Sequence, residues 1–127
     1  MAYKQFPNWM TEGEGSVFNI AAAYLKRINY LLGMASLYAK HKDYNNWYDT
    51  LLLIEVEASI KMSEEEIEAF EKMISPAVEN LQRQDRKSRG ELFNLLRKCD
   101  MHLRKILDKK GMLLPDKQDP GLAIFNQ

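Results

Sequence analysis

Cys99 and His102 stand three residues apart in a segment of helical periodicity, so both side chains share one side of a helix. That spacing could give zinc two ligands, or a thiol its general base. Neither site is completed. No second Cys or His pair stands at ligand spacing, and Cys99 falls on the apolar side of its helix, where burial raises a thiol pKa despite neighbouring Arg97, Lys98 and Arg104. A small buried cysteine most often simply packs. Carboxylate-bridged two-metal centres in helical bundles need Glu-x-x-His motifs. The two histidines, His41 and His102, do not follow a glutamate at that spacing. Gly13 and Gly15 make a lone Gly-x-Gly in an acidic stretch, with no strand before it, and no phosphate loop, nucleophile elbow or dinucleotide fingerprint occurs. No metal, no cofactor and no enzymatic activity are expected.

Glu55 is the one carboxylate that projects into an apolar sector, between Leu51 and Ala58. A carboxyl there can hold its proton unusually well. Without a partner base or electrophile it makes no mechanism, so the expected role is structural, with Arg27 or a tyrosine hydroxyl as its partner.

A different chemistry is offered by cations. Arg83, Arg86, Lys87 and Arg89 form a basic run, continued by Arg97, Lys98, Arg104, Lys105, Lys109 and Lys110. Such a track could follow phosphates, which makes nucleic acid the alternative partner. Against it, the 127-residue chain has a net charge of zero and no helix-turn-helix or zinc-finger pattern. The charge is nevertheless segregated: +3 over residues 1–42, −8 over 43–81 and +6 over 82–117. An acidic helix packed against a basic one accounts for this, and head-to-tail attraction between subunits is the sharper reading.

The elements that would carry these residues are all helical. Residues 16–40 read as a helix apolar almost all round, with Ser16 as candidate N-cap. Its continuous polar stripe runs Asn19, Ala22, Lys26, Asn29, Gly33, Ser36 and Lys40. The other sides need covering, by the chain or by a partner. A second helix is expected from Asp43 as N-cap to about Lys61, with Tyr44, Trp47, Tyr48, Leu51, Ile54, Ala58 and Met62 as its buried stripe and Leu53 pointing away. Ser63 and Glu66 have the spacing of a capping box. The row Ile67, Phe70, Ile74 follows, and Pro76 predicts either a kink over 72–76 or a break recapped by Ser75. Ser88 and Glu91 predict the start of a last helix, whose apolar face is Leu92, Leu95, Leu96, Cys99, Leu103, Ile106 and Leu107, and Lys109-Lys110-Gly111 predicts its stop. No strand alternation and no repeat is visible. The fold class is an all-α up-and-down bundle of four helices, five if Pro76 breaks one.

Three parts follow: an aromatic arm over 1–15, a helical bundle over 16–111, and a Pro-containing apolar arm over 112–127. Apolar content is 46% and charged content 28%, with no run of apolar residues long enough to span a membrane. Residues 1–7 lack the apolar core of a secretory leader, and the lone Cys99 suits a reducing compartment, so a cytoplasmic or otherwise intracellular protein is expected. The arms carry Tyr3, Phe6 and Trp9 at one end and Leu113, Leu114, Leu122, Ile124 and Phe125 at the other, more apolar surface than a solvated tail holds. With Tyr30 and Met34 of the first helix, these are the expected protein interface. The reading is an assembly or adaptor protein that self-associates or joins a larger protein assembly, by fold-level analogy with small structural proteins of viruses and phages, including a place in a virion.

Overall fold

The computed structural model describes residues 17–114, with side chains from Ala23 onward. Ser16, the expected cap, lies outside the described residues. The chain is an all-α bundle: α1 is Val17–Lys40, α2 Tyr44–Ala58, α3 Glu64–Ile74, α4 Ala77–Leu81 and α5 Arg86–Lys109, with a 3-10 turn over Ser59–Lys61. No strand occurs among the described residues.

Three of the helices start where a side chain takes up a free amide. Asp43 caps α2 by accepting from the Asn46 amide. Ser63 and Glu66 close the capping box of α3 reciprocally, at 3.1 and 2.9 Å. Bonding to the Ser63 amide, and then to Lys110, holds the Glu66 carboxyl below its ordinary pKa. α5 corrects the sequence reading: its cap is Asp85, not Ser88. The Asp85 carboxylate accepts from both the amide and the hydroxyl of Ser88, which pulls its pKa down and leaves Ser88 buried inside the first turn. Arg86, Lys87 and Arg89 of the basic run therefore belong to α5. At Pro76 the helix breaks, but Pro76 itself occupies the cap position and Ser75 ends α3, so the expected recapping by Ser75 does not form.

α1 and α5 end in the same way. After α1 the Asp43 amide bonds the Tyr38 carbonyl and Lys42 bonds Ala39; after α5 Met112 bonds Leu107 and Gly111 bonds Asp108. Both are Schellman closures, which need a left-handed residue at the turn. Gly111 adopts φ 71° without a Cβ to object. Lys42 adopts φ 55°, a conformation that costs a side-chain-bearing residue roughly 1–2 kcal/mol.

The core forms where α1, α2 and α5 meet. Ile28, Leu32, Ala35 and Ala39 of α1, Trp47, Leu51, Ile54 and Ala58 of α2, and Leu92, Leu96, Cys99, Leu103 and Leu107 of α5 are all buried, and Phe70, Ile74 and Ala77 complete it. Tyr24 and Arg27 of α1 both reach Glu57 near the end of α2, so these helices run antiparallel. Arg104 of α5 meets Leu32 and Ser36 while the later Met112 meets Asn29, so α5 also opposes α1. This up-and-down course follows from turns too short to cross the bundle.

Candidate functional site

Three features of the bundle have chemical content: a buried polar line, an exposed apolar row and a cationic groove. The polar line comes from the stripe of α1. Asn29 and Ser36 are seven residues apart, two full turns, so they lie on one line. They do not face water; Asn29 is 2% and Ser36 7% exposed. Ser36 Oγ accepts from Arg104 Nη2 at 2.7 Å, and the same nitrogen donates to the Leu32 carbonyl at 2.8 Å. Arg104 also pairs with Asp100, one helical turn before it, and the second Asp100 oxygen accepts from Trp47 Nε1 at 2.8 Å. The ion pair is fully enclosed and ties α1, α2 and α5 together. Burial pushes the Asp100 carboxyl up, against the downward pull of Arg104 and Trp47. Arg104 was expected on the basic surface; it sits in the core instead, because a buried guanidinium needs its carboxylate and carbonyl partners close by.

Asn29 works as a clasp for the chain beyond α5. Its amide nitrogen donates to the Met112 carbonyl at 2.8 Å and its oxygen accepts from the Leu114 amide at 2.9 Å. Met112 and Leu113 are buried and Leu114 half-buried. Leu113 and Leu114 thus pack on their own bundle, where the sequence reading sent them to a neighbouring subunit. A side-chain amide can pair with an extended backbone as another strand would, which sequence spacing does not reveal. Tyr3, Phe6, Trp9, Leu122, Ile124 and Phe125 lie outside the described residues.

The apolar row runs from α2 into the 3-10 turn that follows it. Leu53, Val56 and Ile60 are 52%, 65% and 79% exposed, on the side of the helix turned away from Trp47, Leu51 and Ile54. On the outer side of α1, Tyr30 and Met34 are half-buried and Leu37 is largely exposed.

The groove lies at the other end of α2. Lys42, Tyr44, Arg86, Arg89, Gly90, Phe93 and Asn94 line an open groove of about 510 Å³. Arg89 lies over the Tyr44 ring at 5.3 Å and donates to Gln84 at 2.6 Å, which fixes its guanidinium. Phe93 packs tilted against Trp47, with ring centroids 5.6 Å apart. Of the ten cations singled out from sequence, only Arg86 and Arg89 meet here. Arg83, Lys87 and Lys98 are exposed elsewhere, and Arg97 is half-buried with an unpartnered Nε. Lys110 is engaged with Glu66 at 3.0 Å. The basic track therefore does not run unbroken along α5. Lys42, Tyr44 and Phe93 escaped the sequence reading as site residues, because they come from turns and helices far apart in the chain.

The residues with catalytic potential are spatially isolated. Glu55 is buried with an unpartnered Oε2; Arg27, its expected partner, pairs with Glu57 at 3.3 Å, and the Tyr24 hydroxyl donates to the Glu57 carbonyl. Burial, and then the Glu71 carboxylate of α3, raise its pKa. The Cys99 thiol is pushed up to about 12 by burial, with the Asp100 charge adding to it, so it is no nucleophile near neutrality. His102 is half-buried with an unpartnered Nε2. No group of three metal-ligating side chains assembles among the described residues, and none of their helices is long and apolar enough to cross a membrane.

No family model, no curated protein and no solved structure matches this chain.

Proposed function

We propose that the chain is a non-enzymatic helical interaction module that self-associates, working inside a cell as a component of a larger assembly. The observation that carries this reading is the row Leu53 and Val56 on α2 and Ile60 in the 3-10 turn that follows. A single exposed aliphatic residue is ordinary on a protein surface, but three this close in the chain, two on α2 and one in the 3-10 turn after it, each more than half exposed, form a patch that association would cover. Tyr30, Met34 and Leu37 on the outer side of α1 give the same module a second apolar strip. A second copy of the chain is the occupant favoured here, since the two strips offer apolar surface to each other across a two-fold or head-to-tail contact.

Nucleic-acid contact along residues 83–110 keeps less support, since Arg104 is buried and Lys110 is tied to Glu66. Light scattering across a concentration series tests self-association directly. A mass above that of the 14.8 kDa monomer is expected, returning to the monomer in the variant Val56→Asp/Ile60→Asp. A wild-type chain that stays monomeric at every concentration overturns the reading.

A further inference from the structure

We infer that the groove at the head of α2 and α5 binds a nucleotide, with its phosphate against Lys42, Arg86 and Arg89 and its base along Tyr44 and Phe93. The site lies at the opposite end of α2 from the apolar row, and it stands or falls independently of self-association.

The first argument is the local excess of positive charge in the lining. Three cations line the groove and no carboxylate does. None of the three makes an ion pair among the described residues. Two carboxylates are close in sequence, Asp43 beside Lys42 and Asp85 beside Arg86. Both are turned to their own helices: Asp43 accepts from Asn46, and Asp85 from Ser88. The N-termini of α2 and α5 both lie here, each closed by its own aspartate cap. The C-terminus of α1 also lies here, but its last carbonyls are closed by the amides of residues 41–43. A concave surface lined by one sign of charge concentrates the opposite sign.

The second argument is the walls. Tyr44 and Phe93 give the groove two aromatic surfaces, and Asn94 adds a donor and an acceptor that suit the edge of a base. Arg89 is held over the Tyr44 ring, so one guanidinium offers a flat surface and N–H donors together. Phosphate clamps beside stacking platforms are how proteins hold nucleotides without a glycine-rich loop. The volume of about 510 Å³ lies in the range of small-ligand sites.

The third argument is the backbone at Lys42. The equivalent turn after α5 uses Gly111, the residue that fits a left-handed closure without strain. At the groove the chain carries a lysine in that conformation. Strain of this kind collects where a side chain is needed for binding. It also provides a test in which folding and binding move apart. Lys42→Gly relieves the strain and removes the cation, so the variant should melt no lower than wild type and bind more weakly.

The nucleotide could be free, or one unit of a single strand, and the same titration separates the two. Amide shifts of Lys42, Gly90 and Asn94 are followed by two-dimensional NMR at low salt. The probes are adenosine 5′-monophosphate, adenosine, inorganic phosphate and a short oligoadenylate. Saturable shifts with the monophosphate are expected, with adenosine and phosphate each about tenfold weaker or more. Arg86→Gln and Lys42→Gly should each weaken the monophosphate several-fold. Oligoadenylate binding well above the monophosphate assigns the site to single strands; equal binding per site assigns it to free nucleotide. Two results overturn the inference: no saturable shift with either nucleotide probe, or phosphate alone binding as tightly as the monophosphate, which would leave the aromatic walls without a role. Unweakened binding in both Arg86→Gln and Lys42→Gly would equally overturn it.

Discussion

α1 and α2 lie side by side, and they use polarity in opposite ways. On α1 the polar residues Asn29 and Ser36 face inward, while the outer side shows Leu37. On α2 the inner side is mainly apolar, with Thr50 and Glu55 its buried polar residues, yet Leu53 and Val56, and Ile60 in the turn after it, face outward. The difference lies in the partners available. Arg104 and the backbone of residues 112–114 bring hydrogen-bonding groups that satisfy Asn29 and Ser36, so their burial carries little penalty. Nothing among the described residues covers the outer row of α2 to the same degree. A buried polar line thus specifies how three helices meet, and an exposed apolar row specifies where the bundle can be extended.

The largest break in this comparison should come from the ion pair. Asp100→Ala leaves the Arg104 guanidinium and the Trp47 N–H without their carboxylate inside the core. We expect a loss of about 3–5 kcal/mol in urea unfolding, enough to approach the whole stability of a small domain. Replacing both partners, as Asp100→Leu/Arg104→Met, should recover much of that loss. A single variant with a loss under about 1 kcal/mol would show that the network is not what joins the helices.

Asn29→Ala comes next. It removes the clasp on Met112 and Leu114 and leaves two backbone groups without their partner, at a cost of about 1–3 kcal/mol. Hydrogen exchange at the Leu114 amide should accelerate, and trypsin should cut more readily after Lys110. Unchanged exchange at Leu114 would mean that apolar contacts of Met112 and Leu113 hold this segment by themselves.

Glu55 gives a smaller effect with a defined sign. Its folded-state pKa is raised, by burial and then by Glu71, so the carboxyl holds its proton more tightly folded than unfolded. Its contribution to stability is fully present below the unfolded pKa and is lost as pH rises through the folded one. Glu55→Gln should therefore melt higher than wild type at neutral pH, with the gap closing toward pH 4. A gap independent of pH would point to packing rather than to charge.

The smallest expected change in stability belongs to the outer row. Val56→Asp and Ile60→Asp should each alter unfolding by no more than about 0.5 kcal/mol, since both side chains are already largely in water. Their effect should be on mass in solution. A substantial loss of folding stability in the monomeric state would mean that the row is covered within the chain.

Much of the helical frame was legible from local pattern. Of the expected stripe, Trp47, Leu51, Ile54, Ala58 and Met62 are buried while Tyr44 and Tyr48 are half-buried, and Ser63 with Glu66 forms the capping box of α3. Gly111 closes α5 at the expected place. These features depend on groups three or four residues apart, where the backbone itself sets the distance. The start of α5 was less legible, because Asp85 and Ser88 compete for the cap and both spacings fit. The Asp100–Arg104 pair also had a sequence signal, the i to i+4 spacing of opposite charges on a helix. Spacing alone does not say whether such a pair faces water or the core.

By itself the sequence determined that the chain is helical, where most helices stop and start, and which stripes leave water. Those outcomes follow from periodicity and from caps that bond within a turn. Only the tertiary structure decided that Arg104 would reach Leu32 across 72 residues, that Asn29 would hold Met112 across 83, and that Lys42 would share a groove with Arg86 and Arg89. Such contacts depend on how helices are rotated against each other, and that rotation is set by the whole core closing at once rather than by any local run of residues.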